Sequence, residues 1–150
     1  NRDNPMTDQG EYFTSWVGVY QRSTSTLCYA NAGHPGGVLV GTAGRSQVLG
    51  RKTWPVGFGP DTAYPTSTVP IQSGDRLYLF SDGIYEVMNS EMDIWGQARL
   101  QHFLEDITPR NMAEGMRAVI EKSRAWQDQS VFHDDVALLG IEFSFGPAGS

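Results

Sequence analysis

The spacing of apolar residues changes twice along this chain, and those two changes limit what it can fold into. Up to Phe80 the apolar residues fall in short strand-like runs: Phe13 to Tyr20, Leu27 to Ala30, Val38-Leu39-Val40, Val48-Leu49, Val69 to Ile71, and Leu77-Tyr78-Leu79-Phe80. From Leu100 the period becomes helical, with Leu100, Phe103, Leu104 and Ile107 on one face and Met112, Met116, Val119, Ile120, Ser123 and Trp126 on another. From Val136 to Phe145 a strand pattern returns. Strands, two helices and a closing strand can bring residues that are distant in sequence to one sheet edge.

Within this frame Glu11 to Gln21 reads as one long strand. Phe13, Val17 and Val19 alternate with Tyr12, Trp16 and Tyr20, so both of its faces are expected to be covered. Arg22 to Ser25 is a polar turn, and Thr26 to Asn31 returns as the second arm of a hairpin. Residues 41 to 72 are rich in Gly, Pro, Thr and Ser, which suits short strands and loops. Arg76 to Ser81 is the clearest strand, introduced by a Ser73-Gly74-Asp75 turn. Thr108-Pro109 carries the start signal of the second helix, Thr as cap and Pro in the first turn. Residues 1 to 10 read as a mobile entry segment or the tail of a preceding loop, and Gly-Pro-Ala-Gly-Ser as a loose tail.

At 150 residues the chain is long enough for one buried core and too short for two ordinary domains. A net charge of −6, with no basic cluster, argues against a general nucleic-acid surface. Four Trp call for an interior. The single Cys28, in the strand-like Thr26 to Ala30, excludes an internal disulfide and reads as a buried structural thiol of a reducing compartment. No apolar run approaches membrane-spanning length, so no membrane insertion is expected from this segment.

The chemistry gathers at strand ends. Asp82-Gly83 follows the Arg76 to Ser81 strand, and Asp134-Asp135 precedes the closing one. Each pattern alone suits an ordinary turn. Together they suit carboxylates meeting at one sheet edge, where they could hold a hard divalent cation. Two adjacent acids repel unless solvated or neutralised. A zinc site is not supported, since His34, His102 and His133 lack ligand spacing and a cysteine partner. The His133-Asp134 pair opens a strand, unlike the His-Asp pair of helical phosphohydrolases. The Gly33, Gly36 and Gly37 loop lacks a following helix N-terminus and the Lys-Ser/Thr of a phosphate loop, and Gly36 and Gly37 read as a strand-to-strand turn.

In order, the runs Phe13-Thr14 with Gly18-Val19, Tyr29-Ala30-Asn31-Ala32-Gly33-His34-Pro35, Trp54-Pro55-Val56-Gly57, Ser73 to Leu77, Ser81-Asp82-Gly83-Ile84-Tyr85-Glu86, Trp95-Gly96 and Asp134 to Leu139 resemble one family. It is the PPM (type 2C) metal-dependent protein serine/threonine phosphatases, in their bacterial SpoIIE/RsbU-like branch. The likeness runs from about Phe13 to Ile141.

The resemblance implies an α+β fold, an antiparallel β-sandwich flanked by helices. It also implies a two-metal centre of Mn²⁺ or Mg²⁺ at one edge, where a metal-activated water attacks phosphoserine or phosphothreonine. Carried over, Asp82 and Asp134 would be metal ligands, with Gly83, Asp135, His34 and Gly33 supporting the site; for His34 a purely structural loop role is the preferred expectation. No side chain of the chain is assigned as a catalytic group.

The family's first acidic motif, an Asp in an Asp-x-x-Gly-His-Gly-like turn, has no counterpart in residues 1 to 12; Asp3 and Asp8 lack the following glycines. The expectation is therefore that residues 1–150 are the C-terminal part of a single phosphatase domain, with an incomplete metal centre and an open sheet edge that favours pairing with a second copy. The implied setting is cytoplasmic stress and sporulation signalling, and the implied partner a phosphoprotein such as an anti-sigma-factor antagonist. The competing expectation is an adaptor that binds a regulatory partner through the same fold without catalysis.

Overall fold

The computed structural model describes residues 12–58, 63–128, 131–132 and 134–145. Strands β1 (Ser15–Gln21), β2 (Thr26–Ala32), β3 (Gly37–Val40), β4 (Ser46–Leu49), β5 (Ser67–Pro70) and β6 (Arg76–Phe80) come first. Helices α1 (Gly96–Asp106) and α2 (Met112–Gln127) follow, and β7 (Leu138–Glu142) closes the described fold. The strands form two antiparallel sheets, one ordered β1-β2-β5 and the other β4-β3-β6-β7. The α+β sandwich with flanking helices is therefore the observed architecture.

The period of two explains how three layers arise. In β3 and β6, Val38, Val40, Tyr78 and Phe80 point to the helices and share a core with Leu100, Leu104, Ile107 and Val119. The alternate residues Leu39 and Leu77 point the other way and join Leu27, Leu49, Val69, Ile71 and Phe143 between the sheets. The four-stranded sheet is thus covered on both faces. Trp16 adds a polar stitch across the sandwich, its Nε1 donating to the Leu49 carbonyl at 2.7 Å.

Several expectations are corrected. The first strand begins at Ser15, with Phe13 forming only a bridge to Val56, and the Glu11 end lies outside the described residues. Its two faces are not both covered: Trp16 and Tyr20 pack inward, while Val17 and Val19 stand 58% and 62% exposed. No helix among the described residues lies over that side of the sheet, and β1 is an edge strand. Cys28, on the same outer face, is half-buried rather than buried. Trp95 is interior, but Trp54 is 61% exposed.

The second helix starts three residues later than its sequence signal. Asn111 is the cap, accepting the Glu114 amide on its side chain at 2.9 Å, and this satisfies an otherwise orphaned donor. Thr108 instead bonds back to the Leu104 carbonyl at 3.3 Å and Pro109 falls in the turn between the helices. The closing strand is also shorter than 136–145, so Asp134 and Asp135 precede it, as expected, but with Val136 and Ala137 between them and β7. The leading ten residues, His133 and the C-terminal tail fall outside the described residues.

Candidate active site

The ends of β2 and β6 open on one cleft of about 850 Å³, lined among others by Gly33, His34, Arg51, Lys52, Ser81, Asp82, Tyr85 and Glu86. Its acidic wall grows from β6. After Phe80 the chain turns into a single 3₁₀ turn, Asp82–Ile84, in which the Asp82 carbonyl accepts the Tyr85 and Glu86 amides at 3.0 and 2.9 Å. Asp82 Oδ1 accepts the Gly83 amide at 3.0 Å, and the residue itself is exposed. The turn is held from beneath: the fully buried Ser123 hydroxyl of α2 donates to the Ile84 carbonyl at 2.7 Å. Ser123, expected only as part of a helix face, is therefore a strut of this turn.

Two acidic segments 52 positions apart (134 − 82) are brought side by side here. Ser81 is the clamp. Its hydroxyl donates to the Asp135 carbonyl at 3.0 Å and accepts the Ala137 amide at 2.9 Å, while its own amide donates to the Ala137 carbonyl at 3.0 Å. Gly83 sets how closely the segments approach. A Cβ placed there would lie 2.6 Å from the Asp135 carbonyl oxygen and 3.4 Å from the Asp134 Cβ. Only the lack of a side chain allows that contact.

The carboxylates nevertheless divide between two cavities. Asp82 lines the large cleft, whereas Asp134 lines a smaller neighbouring cavity with Gly83 and Gln127; Glu86 lines both. Glu86 carried no assigned role in the sequence, although its place four residues after Asp82 on a tight turn was a usable signal. Asp134 Oδ1 accepts the Asp135 amide at 2.8 Å, and Asp135 takes part through its backbone. Among the described residues neither Asp82 nor Asp134 makes an ion pair, and no three His, Cys, Asp or Glu side chains cluster as a metal site.

The facing loop is built on Asn31, buried at the end of β2. Its Nδ2 donates to the His34 carbonyl at 3.0 Å and to the Arg51 carbonyl at 2.8 Å. Thr53 completes the brace, donating its hydroxyl to the Asn31 carbonyl at 2.9 Å and accepting the Gly33 amide at 3.0 Å. Gly33 has φ +68° and would clash with Pro55 if it bore a Cβ, so its glycine is a requirement of the loop. From α1, Gln97 donates to the Pro35 carbonyl at 3.1 Å. Thr53 had no assigned role, and Asn31 was read only within the Tyr29 to Pro35 run; a polar Asn inside a strand bounded by apolar residues was the available signal for its bracing role.

His34 lines the same cleft as Asp82. Its Nδ1 accepts the Gly36 amide at 3.0 Å, which leaves the neutral ring with its proton on Nε2. Burial holds its imidazole below the ordinary histidine value, while the Asp82 charge acts in the opposite direction. Beside it, burial and then the Glu86 and Asp82 charges push the Tyr85 phenol up to about 12, so it stays a neutral hydroxyl at physiological pH. His102 lies away from this group, exposed on α1 and 3.4 Å from Glu105.

Known proteins share this chain's pattern. The family profile of Stage II sporulation protein E (SpoIIE) matches residues 2–144. Protein IcfG of Synechocystis is 25% identical over 137 residues, which cover 89% of this chain and 21% of that protein. The SiaA-PP2C domain of Pseudomonas aeruginosa superposes with a TM-score of 0.76 at 20% identity, covering 87% of this chain and 52% of that one. The Mn-presoaked phosphatase domain of SpoIIE from Bacillus subtilis does so with a TM-score of 0.71 at 10% identity, covering 91% and 59%. The chain thus spans about a fifth of its curated relative and rather more than half of these two solved chains.

Proposed function

The chain belongs to the SpoIIE family of PP2C-type phosphatase domains, and from that membership we propose that it is the C-terminal part of a metal-dependent protein serine/threonine phosphatase. Its substrate is phosphoserine or phosphothreonine on a regulatory protein of bacterial signalling, an anti-sigma-factor antagonist being the partner proposed, in the cytoplasm. The observation that carries this reading is the close packing of Gly83 on the Asp134-Asp135 backbone, which joins two acidic turns at one edge.

The donor set suits Mn²⁺ or Mg²⁺. Asp82 and Asp134 offer hard carboxylate oxygens, each with one oxygen steadied by a backbone amide, and Glu86 reaches both cavities. Asp82 and Asp134 are the proposed ligands, with Glu86 as a further carboxylate beside them. Metal bound there would lower the pKa of an attacking water and offset the charge of the phosphoryl oxygens. The protein's own residues orient this chemistry. Ser81 and Gly83 fix the spacing of the two turns, Asn31, Gly33 and Thr53 hold the opposing loop, and Asp135 ties the β7 approach through its carbonyl. His34 presents a neutral N–H donor to the cleft, suited to an oxygen of the phosphate ester.

The test is turnover by the full-length protein. Asp82→Asn and Asp134→Asn should each abolish Mn²⁺-dependent release of phosphate from a phosphoserine protein, with the fold retained by circular dichroism. Undiminished turnover in either variant overturns the assignment. Absence of turnover in the wild type, with retained binding of the phosphoprotein, favours the adaptor reading.

A further inference from the structure

The cleft has a second wall that hydrolysis itself leaves unused. Arg51 and Lys52 line it alongside Asp82 and Glu86, are exposed, and make no ion pair among the described residues. Their backbone is not free to wander: the Arg51 carbonyl is held by the buried Asn31, and Thr53, which follows Lys52, is bonded to Asn31 and Gly33. Two uncompensated cations therefore sit on a braced segment at the mouth of an acidic cleft, in a chain of net charge −6.

The same segment continues into an aromatic group. Trp54 stacks on Phe58 with ring centroids 4.6 Å apart and planes 5° from parallel, and Tyr12 meets Phe58 edge-on at 6.2 Å. Trp54 and Phe58 remain 61% and 55% exposed, so this stack covers little core. Rigid aromatics beside cations are a common composition for a recognition surface.

We propose that Arg51, Lys52 and the Trp54–Phe58 stack are the docking surface for the phosphorylated segment of the protein substrate, and that this segment is acidic. The proposal rests on the phosphatase reading and adds the substrate's chemical character to it. The charge argument is direct. With metal held at Asp82 offsetting the charge of the phosphate itself, the adjacent cations on the same cleft attract the acidic side chains that flank it. The aromatic stack then receives an apolar side chain beyond them.

Hydrolysis by the full-length protein tests this with two phosphoserine peptides, one with acidic and one with neutral flanks, and with p-nitrophenyl phosphate as a small ester. In the wild type, kcat/KM for the acidic peptide should exceed that for the neutral one and should fall with added salt. In Arg51→Gln/Lys52→Gln the preference for the acidic peptide over the small ester should drop about tenfold and its salt dependence should flatten. Arg51→Lys/Lys52→Arg, which keeps both charges, should restore the preference, and Trp54→Ala should lower kcat/KM for both peptides more than for the small ester. An unchanged preference in the Gln variant, or its loss in the charge-preserving one, overturns the proposal. If the wild type hydrolyses nothing, the phosphatase reading fails. Fluorescence anisotropy of the labelled acidic phosphopeptide then decides docking alone: binding weakened by the Gln variant upholds it, and no binding overturns it.

Discussion

The two sheets are built from similar short strands, yet they live in different surroundings. The four-stranded sheet has helices on one face and the sandwich core on the other, so Val38, Val40, Leu77, Tyr78 and Phe80 are all buried. The three-stranded sheet is covered on its inner face alone and leaves Val17 and Val19 in solvent. The acidic turn hangs from the doubly covered sheet, directly after β6. Positional precision at Asp82 is thus inherited from a strand packed on both faces, whereas the outer sheet contributes its inner face and the Asn31 end of β2.

The sharpest way to break this contrast is to remove volume from each sheet. Phe80→Ala, between the four-stranded sheet and the helices, should cost about 3–5 kcal/mol in urea unfolding. A loss under 1 kcal/mol would mean that the helical layer is not closed over β6. Ser123→Ala should cost about 1–3 kcal/mol, because it leaves the buried Ile84 carbonyl without its donor. It should also lower the proposed phosphatase turnover by loosening the Asp82 turn, while Ser123→Thr, which keeps the hydroxyl, should preserve more of that turnover.

Val19→Thr probes the open face and should change stability by no more than about 0.5 kcal/mol. A larger cost in the full-length protein would reveal that this face is covered there. The smallest effect concerns pH. Hydrogen bonds from Ser46, with a further one from His102, hold the Glu105 carboxyl below its ordinary value. The charged form is thereby favoured in the fold, so its stabilisation is present above the ordinary glutamate value and lost as pH falls through the lower folded value. Glu105→Gln should flatten that part of the acid-unfolding curve, measured by thermal melts across the acid range.

Much of the fold was readable because burial and periodicity agreed. Both helical faces, the β1–β2 hairpin and the β6 strand follow directly from alternation or from 3.6-residue spacing. Misreadings arose where tertiary context overrode local pattern. Alternating apolar residues in β1 cannot reveal that one face lacks a covering layer, and Trp54 is large and aromatic yet lies outside the core. Asn111 outcompeted Thr108 as a cap because its side chain reaches the Glu114 amide, a geometric fact with no unique sequence mark.

The acidic turns were visible as strand-end aspartates. What joins them was not, because Ser81 acts through backbone groups more than fifty positions away, and no local signal records such a bond. The division of Asp82 and Asp134 between neighbouring cavities, with Glu86 between them, likewise emerges only in three dimensions.

The Ser81 clamp also has a consequence in time. Its partners, Asp135 and Ala137, leave the ribosome only after both helices have been made, and β7 pairs with β6 later still. Closing so long a loop is slow relative to hairpin or helix formation. A growing chain therefore carries its β1–β2 hairpin early, but the two acidic turns meet only once almost every residue described here has been synthesised. Within the described residues, the contacts on which the proposed chemistry depends are thus among the later ones to form in biosynthesis.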